Sequence, residues 1–381
     1  MRVIFNEMKK IWNPKGVLVT IILSIIIYIL FMEYNVNYFG AGHPKTEFYN
    51  FGIEMTNKYG PTLELDEFNE FINEKKDELN EEFQKVIQIE KLLLESDIIT
   101  YSKLIEFSNL RSVEGAQLDL FDGDEEKLKE INTAKWRIYG EEHNYLGFKL
   151  DAIYLIEERY LANTQAVDIS IYSLMMSNYI KPYFLYSGIV ITLSVLILIS
   201  PLITNDKLNS VKELQYSTRK GRKLLLSQLI AALISTTVLV IVFVAIFGIL
   251  FSKTGTQVFW NNGFNSFNSS EQSVFIFTYG QWVISNVVFI FIFSIALTFI
   301  LMMISKISSN LISLLFKLIP ILVVIIIVFG TGFYSMLLTS NLLYRITNFK
   351  GTEFIVLSLI MLVAVKLFFN MNKKNMTTDL I

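Results

Sequence analysis

The sequence contains no cysteine and only two histidines in 381 residues. The missing thiols exclude disulfides, iron–sulfur clusters and thiolate zinc sites, and two imidazoles leave little for histidine chemistry. Charge is scarce as well: Asp, Glu, Lys and Arg make up 18% of the chain, and 33 basic against 35 acidic side chains leave a net charge of −2. That near balance argues against a nucleic-acid binder, and the shortage of charge against an ordinary soluble enzyme. Catalytic motifs are absent too. Gly221-Arg222-Lys223 lacks the upstream glycine and the following hydroxyl of a phosphate loop, so the chain is not expected to bind ATP or Mg²⁺ itself. Glu141-Glu142-His143 is not HExxH, and no GxSxG elbow occurs. His43 and His143 lie about a hundred residues apart with no matching motif, and read as ordinary surface or core residues. The acidic run Asp122, Asp124, Glu125 and Glu126 lacks EF-hand spacing and reads as a solvated helical turn. No catalytic residue, metal or cofactor is therefore expected in this chain, and it is not expected to be an enzyme on its own.

What the sequence has is apolar surface: 52% of residues are hydrophobic and 14% aromatic. A hydrocarbon core about 30 Å thick takes roughly 20 apolar helical residues. Six segments approach this, at 17–33, 183–203, 224–251, 274–304, 311–329 and 354–369, the first and last being short. The first is followed by Glu33-Tyr34-Asn35 rather than by small residues, so it reads as a retained span and not a cleaved signal. The expected fold is an all-α polytopic membrane protein with six transmembrane helices. Six crossings place both termini on one face. That face, comprising the N-terminal stretch, the 204–223 link, Lys306 and the 370–381 tail, carries thirteen Lys and Arg; the short segments of the other face carry only Lys253, Arg345 and Lys350. By the positive-inside rule both termini are cytoplasmic in a multi-pass plasma-membrane protein.

Residues 34–182 then lie outside. They hold 28 acidic and 15 basic side chains. Between Asp66 and Glu95, Phe68, Phe71, Ile72, Leu79, Phe83, Val86, Ile87, Glu90 and Leu93 recur at helical spacing. A second helical pattern runs from Glu125 to Tyr160 with a break near Gly140 or Gly147, and a third from Val167 to Ile180. A helical hairpin or small bundle is expected, with 252–273 as an extracellular loop. Between the fifth and sixth spans, 330–353 reads either as a re-entrant element broken at Gly330-Thr331-Gly332 and resuming over Phe333 to Leu343, or as a surface loop after a helix that ends at Gly330. Polar residues within the third and fourth spans, Ser227, Gln228, Ser235, Thr236 and Thr237 in the third and Ser285, Asn286, Ser294 and Thr298 in the fourth, are expected to bond between helices. Lys317 and Lys366 are near enough to a boundary to snorkel, and Pro320 is expected to kink the fifth helix.

Residues 1–16 form an amphipathic element. Phe5, Met8, Ile11 and Trp12, with Val3 and Ile4, are apolar, while Arg2, Asn6, Glu7, Lys9 and Lys10 are polar, as in a helix lying in the cytoplasmic interface; Pro14-Lys15-Gly16 then turns the chain into the bilayer. The 204–223 link is polar and basic, with Val211, Leu214 and Gln215 on one side of a short helix. It reads as a positive-inside anchor or as an element that docks on a cytoplasmic partner.

Asp206, Glu213, Leu214, Ser217, Thr218, Arg222 and Ser227, followed by the Leu-Leu-x-Ser-x-Leu start of the third helix, give this link a pattern that resembles the membrane-domain family of type 2 ABC exporters. The elbow-like N-terminus, six helices and large insert after the first helix extend the resemblance over most of the chain. It implies that the link is a coupling helix, with Asp206, Val211, Glu213, Leu214, Ser217, Thr218 and Arg222 facing a separate ATP-binding subunit that holds ATP and Mg²⁺. It also implies a second membrane subunit, identical or related. The apolar spans suggest an amphipathic or hydrophobic cargo, a peptide or lipid. The alternative is a non-transporting receptor whose external helical domain binds a ligand.

Overall fold

Asn13 and Pro14 mark the first boundary in the computed structural model. The Asn13 side chain accepts a hydrogen bond from the Gly16 amide at 2.7 Å, and Pro14 takes the first helical position, where a missing N–H costs nothing. A short helix ends before this pair (α1, Arg2–Ile11) and a long one begins at it (α2, Pro14–Asn37), passing through a π-turn at Tyr28–Met32. Pro14-Lys15-Gly16 is thus the first turn of α2 rather than a connecting bend. The structure describes residues 2–37, 43, 45–110, 116–162, 174–209, 224–265, 272–333 and 335–377, and among these all regular structure is helical. The other α-helices of five or more residues are α3 (Lys45–Tyr59), α4 (Leu65–Ile89), α5 (Lys91–Glu95), α6 (Tyr101–Asn109), α7 (Glu125–Ile138), α8 (Leu146–Ala162), α9 (Leu174–Ile199), α10 (Leu202–Leu208), α11 (Leu224–Ser252), α12 (Tyr279–Ile307), α13 (Leu311–Ile327), α14 (Leu342–Thr347) and α15 (Thr352–Thr377).

Six stretches are long and apolar enough to cross a membrane: Pro14–Asn37, Tyr179–Leu208, Leu224–Ser252, Tyr279–Ile307, Leu311–Gly330 and Thr352–Lys373. The first and last, which looked short in the sequence, reach 24 and 22 residues because the helix continues into polar flanks. At 1.5 Å per residue they cover about 36 and 33 Å, enough to span. The last helix also takes in the first part of the expected 370–381 tail. The fourth starts at Tyr279 rather than Val274 because Thr278 and Gln281 form a reciprocal capping box there.

The chain divides into two compact units. The first holds Met1–Phe39, Ser177–Gln257 and Glu271–Ile381, and with them all six spans. Its centre is the second span, 78% buried against 11% for the first and 17% for the fifth and sixth. Pro201 separates α9 from α10 and releases backbone donors in an apolar setting. Ser305 of α12 satisfies them: its Oγ accepts from the Ile203 and Thr204 amides at 3.1 Å each, while Thr204 Oγ1 donates to the Ser305 carbonyl at 3.0 Å. Thr236 and Thr298 join α11 to α12 by a hydroxyl pair at 2.8 Å. Ser285, Asn286 and Ser294, expected to link helices, bond to carbonyls of their own helix instead. Lys317 reaches the Ile307 carbonyl at 3.0 Å.

The fifth helix runs through Pro320, and Gly330-Thr331-Gly332 do not break it, because a π-turn carries it to Phe333. Helix returns only at Leu342, after a turn in which Met336, Leu337 and Leu338 are buried. The Trp282 indole donates to the Met336 carbonyl at 3.1 Å, and the Leu337 amide donates to Glu353 at 3.3 Å. The π-turn also places Phe329 against Gly188 of the central span, where a Cβ would come within 2.1 Å of the ring.

The second unit holds Gly40–Met176 and Val258–Ser270. Every apolar residue expected on one face of the 66–95 pattern is buried: Phe68, Phe71, Ile72, Leu79, Phe83, Val86, Ile87 and Leu93. The pattern is two helices, α4 and α5, with Glu90 at the joint. The second pattern breaks at Gly140, between α7 and α8, whereas Gly147 sits inside α8 under the Tyr139 ring. Residues 167–173, expected to be helical, lie outside the described residues, and α9 is described from Leu174. The 252–273 segment is more than a loop: Phe259 and Phe264 are fully buried, and Asn262 donates to Thr56 Oγ1 at 3.2 Å, so it completes this unit's core.

Two outcomes follow from these contacts. Phe329 is fully buried and set edge-on to Phe293 at 5.5 Å, so it has little room to yield. Gly188→Ala is expected to cost about 1–3 kcal/mol, as overpacking does, and to lower the melting temperature in detergent; adding Phe329→Leu should recover much of the loss. In the second unit, Arg137 Nε donates to buried Glu90 at 2.8 Å, and its Nη2 makes a second contact to the same carboxylate. That guanidinium holds the Glu90 carboxyl below its ordinary range. A depressed carboxyl adds stability above its unfolded value and loses it as pH falls through the folded one. Amide-exchange protection around the α4–α5 joint should therefore fall on acidification, and Glu90→Gln should reduce it at pH 7 and flatten its acid dependence.

Candidate functional site

Outside the 34–182 insert the chain has only seven acidic residues: Glu7, Glu33, Asp206, Glu213, Glu271, Glu353 and Asp379. Two of them meet. Glu7 of α1 and Asp206 of α10 are 4% and 7% exposed, and both bind Lys10: Nζ lies 2.8 Å from Glu7 Oε1, 2.9 Å from Asp206 Oδ1 and 3.1 Å from Asp206 Oδ2. Gln228, in the second turn of α11 and 3% exposed, donates Nε2 to Glu7 Oε2 at 3.2 Å and to Asp206 Oδ2 at 2.9 Å. Every carboxylate oxygen in the cluster thus has a partner, as buried charge requires. Burial works against the Lys10 ammonium, but the hydrogen bonds it donates to Glu7 and Asp206 outweigh this and raise its pKa, so the lysine stays charged.

Local structure explains how α1 reaches this point. Glu7 and Ile11 stand four residues apart on one helical face, and both are buried as α1 lies along α11. Trp12 continues the contact, its indole N–H donating to Ser235 Oγ at 3.1 Å. Val3 and Phe5, 46% and 58% exposed, point away from the protein. Of the residues expected to contact the bilayer interface, Phe5 is therefore free to do so, Met8 and Trp12 are half-buried, and Ile11 is spent on packing within the protein. Glu7 and Lys10, which looked like the helix's solvent face, instead form its anchor.

The cluster joins α1 to the last helix before residues 209–223 and to the first helix after them. Beside it opens a cavity of about 270 Å³ lined by Lys10, Asn205, Asp206 and Asn209 with Leu198 and Leu202. Asp206, expected to face a partner, is buried in the cluster because an unpaired carboxylate at this depth would be costly. Val211, Glu213, Leu214, Ser217, Thr218 and Arg222 lie outside the described residues. Ser227 is half-buried on α11. Glu7, Lys10, Gln228 and Ser235 were not legible as site residues. The available signal was the rarity of acid in this part of the chain, which makes Glu7 and Asp206 natural partners for one lysine.

The histidines have structural surroundings. His143 Nε2 lies 2.9 Å from Glu90 Oε1, and the His43 ring stacks on Tyr145 and Phe148 at 4.0 and 5.0 Å. Asp151 accepts hydrogen bonds from Tyr101 and Tyr139; burial pushes its carboxyl up, and the two phenols partly oppose this. Among the described residues no group of three or more His, Asp or Glu is arranged to hold a metal ion. Compared with known proteins, the chain matches no family model, no curated protein and no solved structure.

Replacing Lys10 with Met would leave Glu7 and Asp206 sharing a single amide donor. We expect a loss of about 1–3 kcal/mol, at the lower end of buried-pair costs because the lysine itself is 37% exposed and screened. Lys10→Met combined with Asp206→Leu should lose less than the sum of the single changes. A double-mutant cycle on melting temperature, with protease nicking near Asn13 as a readout of α1 undocking, would check this.

Proposed function

We propose that this chain is the membrane-spanning subunit of an ATP-driven exporter of the type 2 ABC kind, working with a separate cytoplasmic ATP-binding subunit and a second membrane subunit. The observation that carries the reading is the Glu7–Lys10–Asp206–Gln228 cluster. It ties the amphipathic N-terminal helix to α10 and to the start of α11, the helices on either side of residues 209–223, so that these three act on the spans together. A force applied by an ATPase at residues 210–223 would pass directly into α10 and α11, and through the Ser305 and Thr236 bonds into α12.

In this reading both termini, the link and the cavity beside Lys10 face the cytoplasm, as the Lys and Arg distribution favours. The exposed Val3 and Phe5 side of α1 rests in the membrane interface as an elbow. The second unit is extracellular, its acidity keeping a helical bundle soluble outside the membrane. Turnover belongs to the partner, which holds ATP and Mg²⁺. The spans carry few polar groups, which suits an amphipathic or hydrophobic cargo such as a peptide or lipid better than a hydrophilic ion.

The test is to purify the tagged chain from its native membrane in mild detergent, identify co-purifying proteins and assay ATPase activity, for wild type and for Glu213→Ala with Leu214→Ala. The expected result is an associated ATP-binding protein with vanadate-sensitive turnover, and loss of association or of transport-coupled hydrolysis by about tenfold in the double variant, the effect of about 1.4 kcal/mol at an interface. A chain that repeatedly purifies alone and without ATPase activity would refute the reading. A variant that keeps its ATPase fully coupled would remove Glu213 and Leu214 from the docking surface.

A further inference from the structure

Residues 342–350, Leu-Leu-Tyr-Arg-Ile-Thr-Asn-Phe-Lys, stand between the end of the fifth span and the start of the sixth, and hydrogen bonds fix both of their ends. Fully buried Asn341 accepts from the Leu343 and Tyr344 amides at 2.8 and 3.4 Å, which caps α14. Its Nδ2 donates to the Gly332 and Ser335 carbonyls at 2.9 and 3.3 Å, at and just past the end of the fifth helix. At the far end Asn348 takes a left-handed conformation that stops α14, and the Thr347 and Thr352 hydroxyls meet at 2.8 Å where the sixth span begins. Thr352 Oγ1 also lies 2.6 Å from the Phe349 carbonyl. The segment therefore presents one side outward in a set orientation.

That side is apolar and cationic. Arg345 and Ile346 follow Leu342 by three and four residues, so the three share one face of α14, and Phe349 comes just past the turn. Leu342, Ile346 and Phe349 are 54, 72 and 66% exposed, and Arg345 and Lys350 are exposed with them; Leu343 and Tyr344 are half-buried. Ile276, 83% exposed, adds to this rim from the stretch before the fourth span, because the ring of its neighbour Phe275 comes within 3.5 Å of where a Cβ on Gly351 would stand. Among the described residues no carboxylate neutralises the two cations: Glu353, the nearest in sequence, is buried and accepts from the Leu337 amide at 3.3 Å. Large apolar side chains turned outward beside unpaired cations, at the level where two spans end, match a bilayer interface, where the apolar groups enter the acyl region and Lys and Arg reach the phosphates. We propose that residues 342–350 bind anionic phospholipids at the membrane interface, with Leu342, Ile346 and Phe349 in the top of the acyl region and Arg345 and Lys350 on the headgroup phosphates. This surface does not rest on the transporter reading, and it holds for whichever side of the membrane this end of the spans faces.

Because the chain has no native cysteine, a fluorophore can be placed on Ile346→Cys alone, in the full chain reconstituted in phosphatidylcholine vesicles. Quenching is read from trace phosphatidylglycerol or trace phosphatidylcholine carrying a nitroxide near the top of one acyl chain, and separately from a neutral water-soluble nitroxide. Both lipids should quench, phosphatidylglycerol the more efficiently by about fivefold, the factor that one cation near an anionic headgroup supplies. The water-soluble nitroxide should quench far less than it does a label on Glu126→Cys, an exposed position of α7. Arg345→Gln with Lys350→Gln should remove the phosphatidylglycerol excess and leave the protection from water in place. Leu342→Cys provides a second labelling site if the change at Ile346 disturbs α14. A label as open to the water-soluble nitroxide as the one at position 126 would overturn the proposal, as would equal quenching by the two lipids. An equal phosphatidylglycerol excess at Leu359→Cys, exposed two turns into the sixth span, would make the preference general to the lipid-facing surface and overturn it too. A label shielded from water and from both lipids would assign the face to a protein partner or a second copy instead, and a charge-free variant that kept the phosphatidylglycerol excess would remove Arg345 and Lys350 from the site; either result refutes the binding described here.

Discussion

Hydrocarbon solvates neither a backbone amide nor a carboxylate, and the membrane unit of this chain is organised by that constraint. Where Pro201 interrupts the central span, the freed amides of Ile203 and Thr204 must find an acceptor, and Ser305 supplies one oxygen for both. Where Asp206 follows close behind, its charge must be met, and the answer comes from α1. Each solution pins two elements that are distant in the chain. The central span is thus held to α12 at its break and to α1 just beyond it, and the peripheral first, fifth and sixth spans attach mostly through apolar contact.

The same logic explains why α1 is part of the membrane unit rather than an appendage. An amphipathic helix of ten residues has little stability of its own. Here it gains a buried ion cluster, a tryptophan hydrogen bond and the packing of Ile11 against α11. It keeps Val3 and Phe5 for whatever lies outside. Because the cluster also contains Asp206 and Gln228, undocking α1 would release both roots of the intervening link at once. That coupling is a property of geometry and would hold for any partner that engages the link.

The second unit is governed by ordinary core formation in a very acidic sequence. Its apolar face is continuous along α4, and Phe259 and Phe264 close the core from a segment that enters between the third and fourth spans. Glu90 shows how a charge is accommodated there: it sits at the joint between α4 and α5, buried, and is held by Arg137 of α7 and by His143 in the turn after α7. Spacing alone placed Glu90 on the buried face; only its partners explain why a carboxylate is tolerated there.

Much of the architecture was legible because it follows from local periodicity. Six apolar runs, the buried face of 66–95 and a helix over the first eleven residues all depend on spacing that the chain carries in itself. Helix ends were less legible, because caps such as Asn13 and the Thr278–Gln281 pair, and a π-turn that carries the fifth helix past two glycines, are decided by a few hydrogen bonds. The site was hardly legible at all. Glu7, Lys10, Asp206 and Gln228 come from three separate stretches, and each alone looks like an ordinary polar residue at the edge of an apolar helix. By itself the sequence determined that the chain is helical, that six of its helices are long and apolar enough to cross a membrane, and that acid is concentrated in the large insert, since these depend on composition and period. Only the tertiary structure decided which of the few remaining charges meet, because burying a carboxylate requires a partner and the fold alone selects which lysine arrives.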